Sequence, residues 1–311
     1  MIALELARAF HRGGHRVFVA ETFPDYTVRF LNCVDGAFAV PAPRLDSEAF
    51  ISTLASLIRE HGVTHLLPTG EEALYVARGR ARLDPLCRVL CDDVEKLDAL
   101  HDKLRFQALA AAIGRTLQTW RVEDAAHAAA LESEHGPLIF KRIYSRFGQS
   151  VATTPDEVTG SGWLAQQRAE GRELCGFAIA RDGHVVTQVV YLPRYRLPRG
   201  PAFYFEPIAH ARAEEWMREL VGRCRYSGPI AFDFIEDVYG TLYPLECNPR
   251  VTSGVHLMAA GDLVTAFLGE SAPHPVPTAA MWGGGDGGHR PAARANAAAI
   301  ARMGSRVCGR A

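Results

Sequence analysis

The chain has 311 residues, 34 basic and 35 acidic side chains, and a formal net charge of −1. That length can bury a sizeable core spread over two or three sub-domains. No basic tract points to nucleic acid or a membrane surface, no apolar run is long enough to span a bilayer, and no signal peptide opens the chain, so a cytoplasmic protein is expected. The seven cysteines are scattered, and Cys87 and Cys91 have no second pair to complete a zinc set. Reduced core thiols are the expected reading.

Met1 to Glu21 reads as a helix followed by a strand. Leu4, Leu6, Ala7 and Phe10 form a helical stripe, Gly13-Gly14 stops it, and Arg16 to Ala20 is a short buried strand. In α/β domains of this kind such a helix follows a first strand and a Gly-rich turn, which the sequence does not show, so the start reads as truncated or wrongly assigned. Phe50 to His61 is an amphipathic helix, Thr64 to Pro68 a buried strand, Thr69-Gly70-Glu71-Glu72 the opening of another helix, and Arg88 to Cys91 a further strand. Strands alternating with helices predict a parallel sheet covered on both faces. No G-x-G-x-x-G is present, which leaves a dinucleotide site without support.

Asp102 is a plausible N-cap for a helix running from Lys103 to a C′ glycine at Gly114. Read alone, Lys103 is an ordinary first-turn lysine. Pro137 to Ile143 is a strand with Lys141 on the same face as Ile139 and Ile143, a costly place for an ammonium unless it finds an anionic partner. Tyr144 to Ser150 follows as a small polar loop containing Ser145 and Gly148, of the kind that closes over phosphates through backbone N–H groups. Leu174 to Val190 is a hairpin turning at Asp182-Gly183. The segment from Tyr191 to Gly200, with Arg194, Arg196 and Arg199 between two prolines, reads equally as an anion clamp or lid and as a solvated loop. Glu214 to Arg225 is an amphipathic helix.

Gly228 to Arg250 is the most informative stretch. Ile230, Phe232 and Phe234 share one face of a strand and Asp233 takes the other. In the second strand, Thr241 to Asn248, Glu246 and Asn248 share a face and Tyr243, Leu245 and Cys247 lie opposite. A turn centred on Tyr239-Gly240 places Asp233 directly across from Glu246. Facing carboxylates repel, so neutralising Glu246 in the metal-free protein should cost nothing. A Mg²⁺ ion, held by one or two carboxylates and phosphate oxygens, would remove the repulsion, with Asn248 adding a neutral oxygen. An exposed hairpin with a solvated acidic face is the plainer alternative. Asn248-Pro249-Arg250 ends the strand and adds a cation. Beyond Leu268, residues Glu270 to Ala311 are rich in Pro, Gly and Ala and read as a low-complexity, disordered or weakly helical tail.

The hairpin, with all three ligand positions, resembles the last motif of the ATP-grasp superfamily, in the form found in the ATP-binding halves of carbamoyl-phosphate synthase and related carboxylate-amine ligases. Asp102-Lys103 matches that pattern's helix head, whose lysine reaches the nucleotide phosphates. Trp163 to Glu173 resembles its adenine hinge, with Gln166, Gln167 and Ala169 at the adenine edge and Glu173 on the ribose hydroxyls; many relatives have Glu where Gln166 stands. The resemblance implies an α/β domain (1–100) lacking its first strand, an ATP-grasp domain of two α+β lobes (101–269) and the tail (270–311). It implies ATP and Mg²⁺ as cofactors, with Mn²⁺ as an alternative ion, held by Asp233, Glu246 and Asn248. Lys103 and Lys141 would bind phosphates, with Ser145 and Gly148 closing over them. Lys141 and Arg250 would be the catalytic residues, Arg250 holding the substrate carboxylate or the acylphosphate. The implied activity is a ligase joining a small-molecule carboxylate to an amine or other nucleophile, with no nucleic-acid or membrane partner and with room for a homodimer. A non-catalytic ATP-binding module and an ATP-grasp phosphotransferase are the alternatives.

Overall fold

The computed structural model describes residues 2–23, 32–144, 151–196, 202–269 and 280–281. The N-terminal part alternates as expected. It runs α1 (Ile2–Arg12), β1 (Phe18–Glu21), β2 (Gly36–Ala39), α2 (Ser47–His61), β3 (His65–Leu66), α3 (Glu72–Arg78), α4 (Arg80–Leu83), β4 (Arg88–Val89) and α5 (Val94–His101). Asp46 caps α2 by accepting from the Ala49 amide, and Gly62 closes it in the left-handed conformation. Phe50, Leu54 and Ile58 recur on one face of α2 and pack with Val76, Leu83 and Val89. The expected parallel sheet is present as two separate parallel pairs, β1 with β2 and β3 with β4. Strand β2 has no signature in the sequence, since its four residues include no β-branched side chain.

The middle of the chain supplies α6 (Lys103–Ala111), β5 (Thr119–Val122), α7 (Ala125–His135), β6 (Leu138–Arg142), β7 (Val151–Ala152) and β8 (Trp163–Gln167). The strands form an antiparallel sheet ordered β5-β8-β6-β7, closed by α7 over Leu138, Phe140, Trp163 and Ala165. Helix α6 ends at Ala111, and Gly114 is not among the glycines with positive φ. The expected glycine cap is therefore absent; the Gly114 amide bonds back to the Ala110 carbonyl.

The last part holds β9 (Arg172–Arg181), β10 (His184–Arg196), β11 (Ala202–Ile208), α8 (Ala211–Cys224), β12 (Gly228–Glu236), β13 (Leu242–Asn248), α9 (Ala260–Leu268) and β14 (Ala280–Met281). Its antiparallel sheet is ordered β13-β12-β9-β10-β11-β14. One face carries Ile230, Phe232 and Phe234, packed against Phe106 of α6 and Trp216, Met217 and Leu220 of α8. The opposite face carries Phe177 and Ala231, packed against Leu6 of α1 and Leu263 and Phe267 of α9. Each such aromatic, moved from water to these interiors, contributes about 1.5–3 kcal/mol. The β9–β10 turn has positive φ at Asp182 and Gly183, the two-residue hairpin geometry foreseen there. The Arg-rich segment is strand through Arg196 rather than loop, with the Arg194 guanidinium on the Glu206 carboxylate. Its Arg199 lies outside the described residues, as do Ser145, Gly148 and the tail apart from 280–281.

Candidate active site

The hairpin β12–β13 sets Asp233 directly opposite Glu246, as foreseen, but by a different route. The turn closes between Asp237 and Thr241 and so centres on Tyr239, half a residue earlier than expected, with the Asp237 carboxylate accepting from the Tyr239 and Thr241 amides. A β-bulge at Leu245, between the Pro244 and Glu246 pairings, then restores the register. The bulge also reverses the expected faces on its turn side: Leu242 packs in the same core as Cys247, although five positions separate them.

Helix α6 holds this bulge. Asp102 caps it as predicted, accepting from the Leu104 and Arg105 amides at 2.9 and 3.1 Å. Lys103 and Gln107, one turn apart, share a face. Gln107 is buried and donates to the Pro244 and Leu245 carbonyls at 2.8 and 3.3 Å, satisfying the groups the bulge takes out of the ladder. Lys103, 4% exposed, places its ammonium 3.3 Å from Glu246 Oε2 and donates to the Ile143 carbonyl at 3.4 Å. The expected uncompensated repulsion between Asp233 and Glu246 is thus wrong for the metal-free protein, because Lys103 supplies a cation. Burial pushes the Glu246 carboxyl upward, yet Lys103 and Lys141 outweigh it and hold the group below the usual carboxylate range. Asn248 completes this edge, its amide donating to Glu246 Oε1 at 3.4 Å.

Lys141 projects from β6 and donates to Gln166 Oε1 at 2.8 Å, while the Gln166 amide donates to the Thr119 hydroxyl at 3.1 Å. Gln166 is 2% exposed, so its side chain is an internal brace for Lys141. Burial lowers the Lys141 ammonium, against the pull of Glu246. The neutral Gln166 satisfies a donor without cancelling the charge, and Glu246 and Asp233 supply the nearby negative charge. Gln167 ends β8 and is exposed, and Ala169 lies in the link to β9. This link joins the two antiparallel sheets, and Glu173 sits just inside β9, paired in register with Ile235. Gly171 is required there: a Cβ would lie 2.2 Å from the Glu236 carbonyl.

Arg250 is already engaged. Its Nε donates to Glu71 Oε1 at 3.1 Å, and Nη2 donates to Asn248 Oδ1 at 3.2 Å. Glu71 stands at the head of α3, and its other oxygen is 3.5 Å from Nε2 of His101. Glu71, His101 and Gln107 were not anticipated as site residues. None has a local signature, since Glu71 and Arg250 are separated by most of the chain. On the Asp233 face, Cys175 is the β9 partner of Asp233, and burial holds its thiol well above the ordinary range. A cleft of about 790 Å³, lined by Arg88, Cys91, Arg181 and Phe267 among others, lies at the β9–β10 turn and contains none of these site residues.

Among the described residues no group of three or more His, Cys, Asp or Glu side chains gathers as a self-sufficient metal cage. Two facing carboxylates and an amide are what an ion delivered with phosphate oxygens requires, so the set fits Mg²⁺. Among the described residues no helix is long and apolar enough to cross a membrane.

No family model matches the chain, and no curated protein sequence matches it. Solved structures do. The biotin carboxylase domain of Hydrogenobacter thermophilus 2-oxoglutarate carboxylase, a dimer in complex with MgADP, ADP and bicarbonate, is 15% identical, covers 88% of this chain and 69% of its own, and has a TM-score of 0.69. Staphylococcus aureus N5-carboxyaminoimidazole synthetase complexed with ADP is 16% identical, with 88% and 76% coverage and a TM-score of 0.71. L-amino acid ligase from Bacillus licheniformis is 16% identical, with 86% and 72% coverage and a TM-score of 0.65.

Proposed function

From the ATP-grasp fold that the chain shares with these enzymes, we propose that it is an ATP- and Mg²⁺-dependent ligase that activates a carboxylate as an acylphosphate for attack by an amine or another nucleophile. The observation that carries this reading is the cluster in which Lys103 and Lys141 both act on Glu246, itself set against Asp233. Four buried or half-buried charges of alternating sign are an expensive arrangement for stability alone. The nucleotide and nucleotide–metal complexes of the similar structures support it. The finer likeness to carbamoyl-phosphate synthase halves rests on the sequence motifs.

In this reading Asp233, Glu246 and Asn248 hold Mg²⁺, which when bound neutralises phosphate charge. Lys103 reaches from beside Glu246 to the phosphates, and Lys141, which donates to the neutral Gln166 side chain, stabilises the charge on the transferring phosphoryl group. A carboxylate oxygen forms the new bond to the γ-phosphorus as the bond to the β-phosphate oxygen breaks, releasing ADP. The nucleophile then attacks the acyl carbon and displaces phosphate. Arg250, beside Asn248, holds the carboxylate. The backbone of Gln166 to Ala169 takes the adenine edge and Glu173 the ribose. Ser145 and Gly148 remain candidates for the phosphate loop, and a homodimer remains a candidate assembly.

The test is ADP release by the full chain with ATP, Mg²⁺ and a panel of carboxylates and amines, with products identified by mass spectrometry. A new amide or thioester with stoichiometric ADP supports the ligase. A phosphorylated product would reassign the chain as a phosphotransferase, and tight Mg-ATP binding without turnover as a binding module.

A further inference from the structure

Arg250 has five N–H donors. Three are used inside the protein: Nε on Glu71 Oε1 at 3.1 Å, Nη1 on the Val251 carbonyl at 3.2 Å and Nη2 on Asn248 Oδ1 at 3.2 Å. One N–H remains on each terminal nitrogen, and such a pair suits an anion presenting two oxygens. Of the three acceptors only Glu71 is charged, and only Glu71 comes from outside Arg250's own strand end. Its second oxygen faces Nε2 of His101, a 7% exposed residue at the end of α5, two positions before Lys103. Burial, the largest influence, lowers the His101 imidazole from its ordinary value, against the pull of Glu71. In its neutral form the imidazole beside Glu71 leaves intact the charge that Arg250 meets.

We propose that Glu71, held in turn by His101, is the positioning residue that aims Arg250 at the substrate anion. This inference rests on the carboxylate-activating reading above. Without Glu71, the guanidinium would be tied only to Asn248 and a neighbouring carbonyl and could swing about its last torsions. A carboxylate reaching across from α3 removes that freedom before substrate arrives, so the ordering is not charged against the transition state. The α5–α6 joint then sets both ends of the site, His101 under the Arg250 pair and Lys103 under Glu246.

Glu71→Gln keeps the shape and an acceptor but removes the charge. With a carboxylate that supports ADP release, this variant should raise the carboxylate KM about tenfold or more while Mg-ATP affinity stays within about twofold, and Glu71→Asp should recover part of the loss. A carboxylate KM equal to that of the parent would overturn the proposal, even if the variant melts earlier, because a purely structural brace changes stability alone. A second readout needs no turnover. Phenylglyoxal modification of the intact chain, followed by peptide mass spectrometry, should label Arg250 several-fold faster in Glu71→Gln than in the parent, with the other arginines unchanged. Equal labelling rates would overturn the positioning role, whereas faster labelling with no carboxylate ever turned over would uphold it and count against the ligase reading. Should Glu71→Gln fail to fold, His101→Gln reads the same labelling rate in the same direction, and an unchanged rate there refutes the relay.

Discussion

Glu246→Gln puts a magnitude on the charge cluster. In the parent, Glu246 Oε2 lies 3.3 Å from the ammonium of Lys103, which is 4% exposed and loses this charged partner when Glu246 is neutralised. A hydrogen bond to a charged group contributes about 1.5–3 kcal/mol net. Against this stands the relief of like-charge repulsion with Asp233 directly across the ladder, about 0.2–1 kcal/mol. The difference predicts that the variant, without metal or nucleotide, is destabilised by roughly 0.5–3 kcal/mol, or roughly 1–12 °C in melting temperature at about 2–4 °C per kcal/mol. The assay is a thermal melt in chelator, run with Lys103→Met and the double variant to close a cycle. An unchanged or raised melting temperature, with no coupling between the two positions, would refute the ion pair and return Glu246 to simple repulsion with Asp233.

Lys141→Ala should weaken Mg-ATP binding by about 1.5–3 kcal/mol, measured by calorimetry, because its ammonium would lose a charged phosphate partner. Gln107→Leu should destabilise the chain by about 1–3 kcal/mol in a denaturant melt, leaving the bulge carbonyls of Pro244 and Leu245 unpaired, and should weaken Mg-ATP binding as Glu246 loses its placement. The pH dependence has a defined sign. Burial lowers the folded-state values of His101 and His256, so the stability they carry is present above their ordinary value of about 6.5 and is lost as pH falls through the lower folded values. The depressed Glu246 value adds a loss that begins only below about 4.5. Melting temperatures should therefore decline from about pH 6.5 downward, and His101→Gln should flatten the first part of that decline.

The parts of the site readable from sequence are those with a local period or a local cap. Phe232 and Phe234 alternate with Asp233, so the strand and its polar face follow from spacing of two. Asp102 before Lys103 signals a helix start through its side-chain oxygen. The pairing of Asp233 with Glu246 follows from the expected turn centre only because two local differences cancel, a turn centred half a residue earlier and a bulge. Bulges leave little trace in composition, which is why a period of two carried through the whole strand cannot place Leu242 in one core with Cys247. What could not be read is long-range. Glu71 meets Arg250 across the fold, Gln107 holds a bulge on a strand far along the chain, and Gln166 turns its side chain inward to Lys141. Each is a contact between elements whose partners no sequence period encodes. The N-terminal sheet was overread, since alternation of helix and strand fixes element type but not how many strands join.

Titration calorimetry of the full chain with ATP and Mg²⁺ tests the cluster of two lysines and two carboxylates most directly. The geometry predicts saturable binding that needs Mg²⁺ and that Lys141→Ala and Glu246→Gln each weaken. A cooperatively melting protein that shows no heat of binding, or that binds nucleotide with the same affinity in both variants, would contradict it.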